Sequence, residues 1–67
     1  MMEIGTIRAS DQSGGTISRS GNLDIRFRSD RIVAKDRKGL TPGDQVWFEI
    51  ESADNNLVAI NIRKFHG

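Results

Sequence analysis

The 67-residue sequence has no cysteine, no tyrosine, one proline and one histidine. Without cysteine there is no disulfide and no thiolate metal site, and nothing points to an oxidising compartment. The single histidine, His66, stands beside the C-terminus with no neighbours to complete a metal site, so it reads as a solvated tail residue. No apolar run approaches the ~20 residues of a membrane span, and no signal-peptide pattern is present. The expectation is a soluble, cytoplasmic chain with no membrane partner. A 3.6-residue period is also missing. No helix of useful length is expected, and residues 31–38 suit one short turn. The residues of catalysis are lacking too: no nucleophile–histidine pair, no metal constellation and no Walker motif. Glu49 and Glu51 share a strand face, but this is ordinary outward alternation, and so small a chain has little room for an enclosed pocket. No enzymatic activity and no cofactor are expected. The length allows one domain, 1–67, with a stability on the order of a few kcal/mol.

The formal net charge is only +1. Its distribution is uneven. Residues 14–40 carry seven bases (Arg19, Arg26, Arg28, Arg31, Lys35, Arg37, Lys38) against three acids (Asp24, Asp30, Asp36). Residues 41–62 carry four acids (Asp44, Glu49, Glu51, Asp54) and no base. A chain polarised in this way can turn a basic face to a polyanion while staying nearly neutral; the alternative is a well-solvated mixed surface.

The period that is present is 2. In residues 22–28, Leu23, Ile25 and Phe27 alternate with Asp24, Arg26 and Arg28. Residues 45–51 repeat the pattern with Val46, Phe48 and Ile50 inward, and residues 56–62 with Val58, Ile60 and Ile62. Two shorter strands precede them. One runs over about residues 2–9 around Ile4 and Ile7, with Gly5 as the expected site of a phase-shifting bulge. The other runs over about 15–19, with Ile17 inward. Turn chemistry separates the strands: residues 11–15, the Ser20-Gly21-Asn22 hairpin, Pro42-Gly43, and Asp54-Asn55-Asn56, where Asn tolerates positive φ. Five short strands cannot form an ordinary two-sheet sandwich. Closing into a small barrel buries the inward residues and leaves few edges. The expected core is Ile4, Ile7, Ile17, Leu23, Ile25, Phe27, Ile32, Val46, Phe48, Ile50, Val58, Ile60 and Ile62.

Several stretches resemble the cold-shock domains, single-stranded nucleic-acid binders of the OB class. Gly5-Thr6-Ile7-Arg8 is similar to that family's Gly-Thr-Val-Lys. Asp24 to Ile32 falls on Asp-Val-Phe-Val-His-Phe-Ser-Ala-Ile. Leu40 to Ile50 matches Leu-x-x-Gly-x-x-Val-x-Phe-Glu-Val, and Leu57 to Arg63 resembles Leu-x-Ala-x-Asn-Val-x. The resemblance covers about residues 3–65. It implies an all-β, five-stranded antiparallel OB-type barrel whose partner is single-stranded RNA or DNA.

The family's binding motifs are altered here. Its Lys-Gly-Phe-Gly-Phe-Ile is Gln12-Ser13-Gly14-Gly15-Thr16-Ile17, reached by a loop about two residues shorter. Its Val-Phe-Val-His-Phe is Ile25-Arg26-Phe27-Arg28-Ser29, and its Trp-Phe pair is Ala9-Ser10. Inward positions keep their character while outward aromatics are lost. Each stacked base is worth roughly 1–3 kcal/mol, so tight family-style binding is not expected. Arg26 and Arg28 share a strand face, and Arg8 on the neighbouring strand is expected to join them. Guanidinium groups contact phosphate and stack on bases. Thr16 and Ser18 add hydroxyl donors. A face of Arg8, Thr16, Ser18, Arg26 and Arg28 suits weak, sequence-tolerant, salt-dependent binding. The competing reading makes Arg26 and Arg28 plain solvent-facing residues paired with Asp24 or Asp30. Gly14-Gly15 reads as a flexible turn, since no helix or Lys-Ser/Thr pair follows to make a phosphate cradle. Trp47 is expected outward among acids. It either packs on the loop over residues 30–40 or forms a protein contact, self-association included. Phe65 is expected to cover a barrel end. The alternative function is a protein-interaction or structural module that has kept the barrel and lost nucleic-acid binding.

Overall fold

A computed structural model describes residues 2–66 of the chain. Five strands form the barrel: β1 (Glu3–Ser10), β2 (Gly14–Arg19), β3 (Asn22–Arg28), β4 (Gln45–Ala53) and β5 (Asn56–Lys64). They close in the order β1-β2-β3-β5-β4, with β4 pairing back onto β1. Four joints are antiparallel; β3 and β5 run parallel. Between β3 and β4 lie two single 3₁₀ turns, Ser29–Arg31 and Ala34–Asp36. No described helix is long and apolar enough to cross a membrane.

Turn chemistry sets the hairpins. Asp54 and Asn55, with φ of 49° and 66°, form the two-residue loop between β4 and β5. Positive φ at both positions is the type I′ pattern, whose twist matches the flanking strands. Before β4, Pro42 and Gly43 (φ 97°) turn the chain, closed by a 3.1 Å bond from Asp44 N–H to the Thr41 carbonyl. The Asp44 carboxylate accepts from the Thr41 N–H at 2.9 Å.

The core is Ile7, Ile17, Ile25, Phe27, Ile32, Val46, Phe48, Ala59 and Ile62, with Leu40 and Ile50 packed against it. Among the described residues no polar or charged side chain is buried. Four expected core residues face elsewhere, and the cause in each case is backbone phase. Gly5 is not a bulge. It lies inward with Ile7, in a space where a Cβ would come within 2.4 Å of Ile17 Cγ2, so Ile4 turns outward and is 42% exposed. The β1 bulge falls at Arg8, between the pairs Ile7–Ile17 and Ala9–Thr16. A second irregularity lies between the pairs Ile17–Ile25 and Arg19–Asn22; it releases Leu23, which is 85% exposed. A third lies on β5 at Asn61, whose φ is 52°. N-terminal to it, Val58 and Ile60 sit opposite Glu51 and Glu49 on the outer face, while Ala59 points in. Beyond it the phase changes and Ile62 is inward. One extra residue moves every later side chain to the other face.

Candidate nucleic-acid interface

The outer surface of β1, β2 and β3 carries the five residues singled out from the sequence. Thr16 lies directly across from Arg26, and Gly14 from Arg28. Arg26 and Arg28 are both exposed. The Arg8 bulge sends its side chain over β2, and its Nε reaches Asp24 Oδ2 on β3 at 2.6 Å. Arg8, Thr16, Arg26 and Arg28 thus share one face with Asp24. Ser18 is on it too, but its hydroxyl donates to the Thr6 carbonyl at 3.3 Å and is occupied there.

The three arginines are not equivalent. Arg8 is matched by Asp24. Arg28 has a looser partner, Asp30 at 3.5 Å. Among the described residues Arg26 is in no ion pair. The expected pairing with Asp30 is therefore met at Arg28 alone, while Asp24 goes to Arg8. Exposed pairs of this kind are worth about 0–1 kcal/mol and exchange easily for a phosphate.

Gly14 and Gly15 are not a flexible turn. They begin β2, where a Cβ on Gly14 would lie 2.1 Å from the Phe27 carbonyl oxygen and one on Gly15 2.0 Å from that of Ala9. The glycines let three strands approach closely at the head of the face. The loop before them is built around Asp11. Its carboxylate accepts from the Ser13 hydroxyl at 2.7 Å, the Ser13 N–H at 2.8 Å and the Gly14 N–H at 3.1 Å. Those bonds, the hydroxyl first, hold its pKa below the usual carboxylate value. A fixed negative charge therefore stands at the edge of the face, beside the shallow depression running from Gly14 to Val58.

Beyond that edge a groove opens beside Ser10 and Ser29, small residues at positions where the resembled motifs carry aromatics. Phe27, Ile32, Leu40 and Pro42 give it an apolar lining, and Arg37 and Lys38 border it. Sequence reasoning missed this groove. Its signal was present in the two small residues at aromatic positions, but only the fold brings them together. Trp47 lies away from this face. It is half-buried, meets Phe65 edge-on at 5.4 Å, and pairs across strands with Ile4. His66 is exposed, and no group of three or more His, Asp or Glu side chains able to hold a metal occurs among the described residues.

No protein-family model matches the chain, and no curated protein matches it. Solved structures do. One of them, drosophila Unr CSD456, aligns with a TM-score of 0.82 over 97% of this chain at 20% sequence identity. The barrel has the cold-shock-domain fold. This chain spans about a quarter, 27%, of that structure's length. The likeness is one of fold; at the positions where the motifs resembled in sequence carry aromatics, the outer face here carries Gly14, Thr16, Arg26, Arg28 and Ser29.

Proposed function

We propose that the chain binds single-stranded RNA or DNA weakly and mainly through charge, by the outer face of β1–β3. The observation that supports it most is Arg26, exposed, free of ion pairs among the described residues, and set between Thr16 and the Arg28 position on a cold-shock barrel. The phosphate backbone crosses Arg26 and Arg28, with Arg8 recruited as it leaves Asp24 and Thr16 donating a hydrogen bond. A base is accommodated by the apolar groove, with Lys38 at its border. Such contacts position a strand but read little sequence. The Asp11 charge and the missing stacking platforms keep affinity low. The reading is of a binding module, not an enzyme, acting in the cytoplasm.

The test is titration of mixed-sequence oligonucleotides at several salt concentrations. Each phosphate neutralised on a single strand adds about 0.7 to the slope of log K against log salt. Replacing Arg26 and Arg28 by Ala should lower that slope by about 1.4 and weaken every sequence alike. An unchanged slope in the folded double variant sinks this face. The second reading is a protein contact at Trp47, favoured by the exposed Ile4 across from it. Loss of partner binding or self-association in folded Trp47→Ala supports that reading instead.

A further inference from the structure

The three neighbouring strands β3, β5 and β4 present three different chemistries in stripes. On the outer face of β3 stand Arg26 and Arg28. On β5, brought outward by the phase change at Asn61, stand Val58 and Ile60. On β4, directly opposite these two, stand Glu51 and Glu49. Cross-strand pairing places Arg26, Val58 and Glu51 in one row. The polarity seen along the sequence thus becomes a polarity around this side of the barrel, base to apolar to acid. Among the described residues, neither Arg26 nor Glu51 is in an ion pair.

We infer that this surface is an interface for a second copy of the chain. A patch of this kind is complementary to itself in one orientation. Rotating a copy by half a turn about an axis lying in the face and parallel to β5 exchanges left for right. The arginine stripe of each copy then faces the glutamate stripe of the other, and the Val58–Ile60 stripe meets itself. An axis across the strands would set arginine on arginine and is ruled out by repulsion. Two-fold symmetry makes each charge contact count twice. The apolar stripe continues at the hairpin end, where Val58 shares a depression with Leu57 and Leu23, 53% and 85% exposed. A standard interface takes about 800 Å² from each partner, a modest part of the 4693 Å² of accessible surface. The dimer does not depend on nucleic-acid binding. It does claim Arg26 and Arg28, so a dimer and a phosphate backbone compete for the same guanidinium groups.

The test is sedimentation of the nucleic-acid-free chain from micromolar to millimolar concentration at low salt. The wild type should shift toward twice the monomer mass, and added salt should reverse the shift. Arg26→Glu should weaken association about a hundredfold, since like charges meet at two places, and Glu51→Arg should do the same. The combined variant R26E/E51R should recover the dimer, whereas Trp47→Ala should leave it unchanged. Oligonucleotide added to the wild type should return it to monomer. A chain that stays monomeric throughout, or a double swap that stays monomeric while folded, overturns the proposal. A dimer that persists with oligonucleotide bound overturns the shared use of Arg26. A dimer that obeys the charge swaps but binds no oligonucleotide keeps this inference and removes the proposed function.

Discussion

Position 16 offers a place to build a stacking platform of the kind the resembled motif carries there. Thr16 is half-buried, outward, and flanked by Ala9 on β1 and Arg26 on β3. A phenylalanine there extends over the face without entering the core. One base stacked on it contributes roughly 1–3 kcal/mol, which is about 5- to 150-fold in affinity at 1.4 kcal/mol per decade. Stacking releases no counterions, so the salt slope should stay that of the wild type while the line moves upward. Gly14, the other position at which the resembled motif has phenylalanine, cannot take one. A Cβ there meets the Phe27 oxygen at 2.1 Å and Arg28 Cα at 2.9 Å, both rigid backbone, and φ is 153°. Gly14→Phe should therefore lose the barrel, seen as loss of cooperative melting. The assay is anisotropy of a labelled mixed-sequence oligonucleotide at two salt concentrations, with circular dichroism melts beside it. Thr16→Phe with unchanged affinity refutes the face; Gly14→Phe with a wild-type melting temperature refutes the packing argument.

Gly5→Ala should destabilise the barrel, because the added methyl meets Ile17 Cγ2 at 2.4 Å and the Ser18 oxygen at 2.8 Å. Overpacking of this kind costs about 1–3 kcal/mol, or roughly 4–24 °C in Tm for a domain this small; an unchanged Tm contradicts the inward placement of Gly5. Asp11 and Asp44 both have lowered pKa values, Asp11 through Ser13 and Gly14 and Asp44 through the Thr41 N–H with help from Lys64. A carboxylate depressed in the folded state stabilises it above the unfolded pKa near 4, and that contribution is lost as pH falls through the folded value. The wild type should therefore lose more Tm on acidification below about pH 4 than the D11N/D44N variant, and equal losses count against these bonds.

The strands were legible because alternation is a local property. Val46 and Phe48 are inward, and Arg26 and Arg28 outward, for the same reason: each differs by one position from a neighbour on the other face. What alternation cannot show is where it is interrupted. Nothing about Arg8 or Leu23 as residue types marks an irregularity, and the errors at Ile4 and Leu23 follow from that. Asn61 did carry a mark. Asn tolerates positive φ, and Ala59 and Ile62, three apart, can both be inward only if a residue between them is extra. The arginines of the face were visible by parity, yet their inequality was not, because the Arg8–Asp24 pair spans an intervening strand. Gly14 and Gly15 resemble a turn in sequence, since composition does not distinguish freedom to bend from room for a neighbouring backbone.

The parallel joint of the barrel is also its shortest. β3 and β5 meet over the pairs Arg26–Val58 and Phe27–Ala59, with the bridge from Ile32 to Ile62 beyond them. The β1–β2–β3 meander and the β4–β5 hairpin each form through tight turns, but this joint, like β1–β4, unites segments distant in the chain and waits on the closure of a long loop. With two pairs against four for β1–β4, it has the fewest ladder pairs of any joint in the ring. Arg26 and Val58 flank that seam on the outside. Whatever lies across them, a phosphate backbone or a second barrel, acts as a clasp on the ring, and occupancy of the surface becomes a contribution to the endurance of the fold.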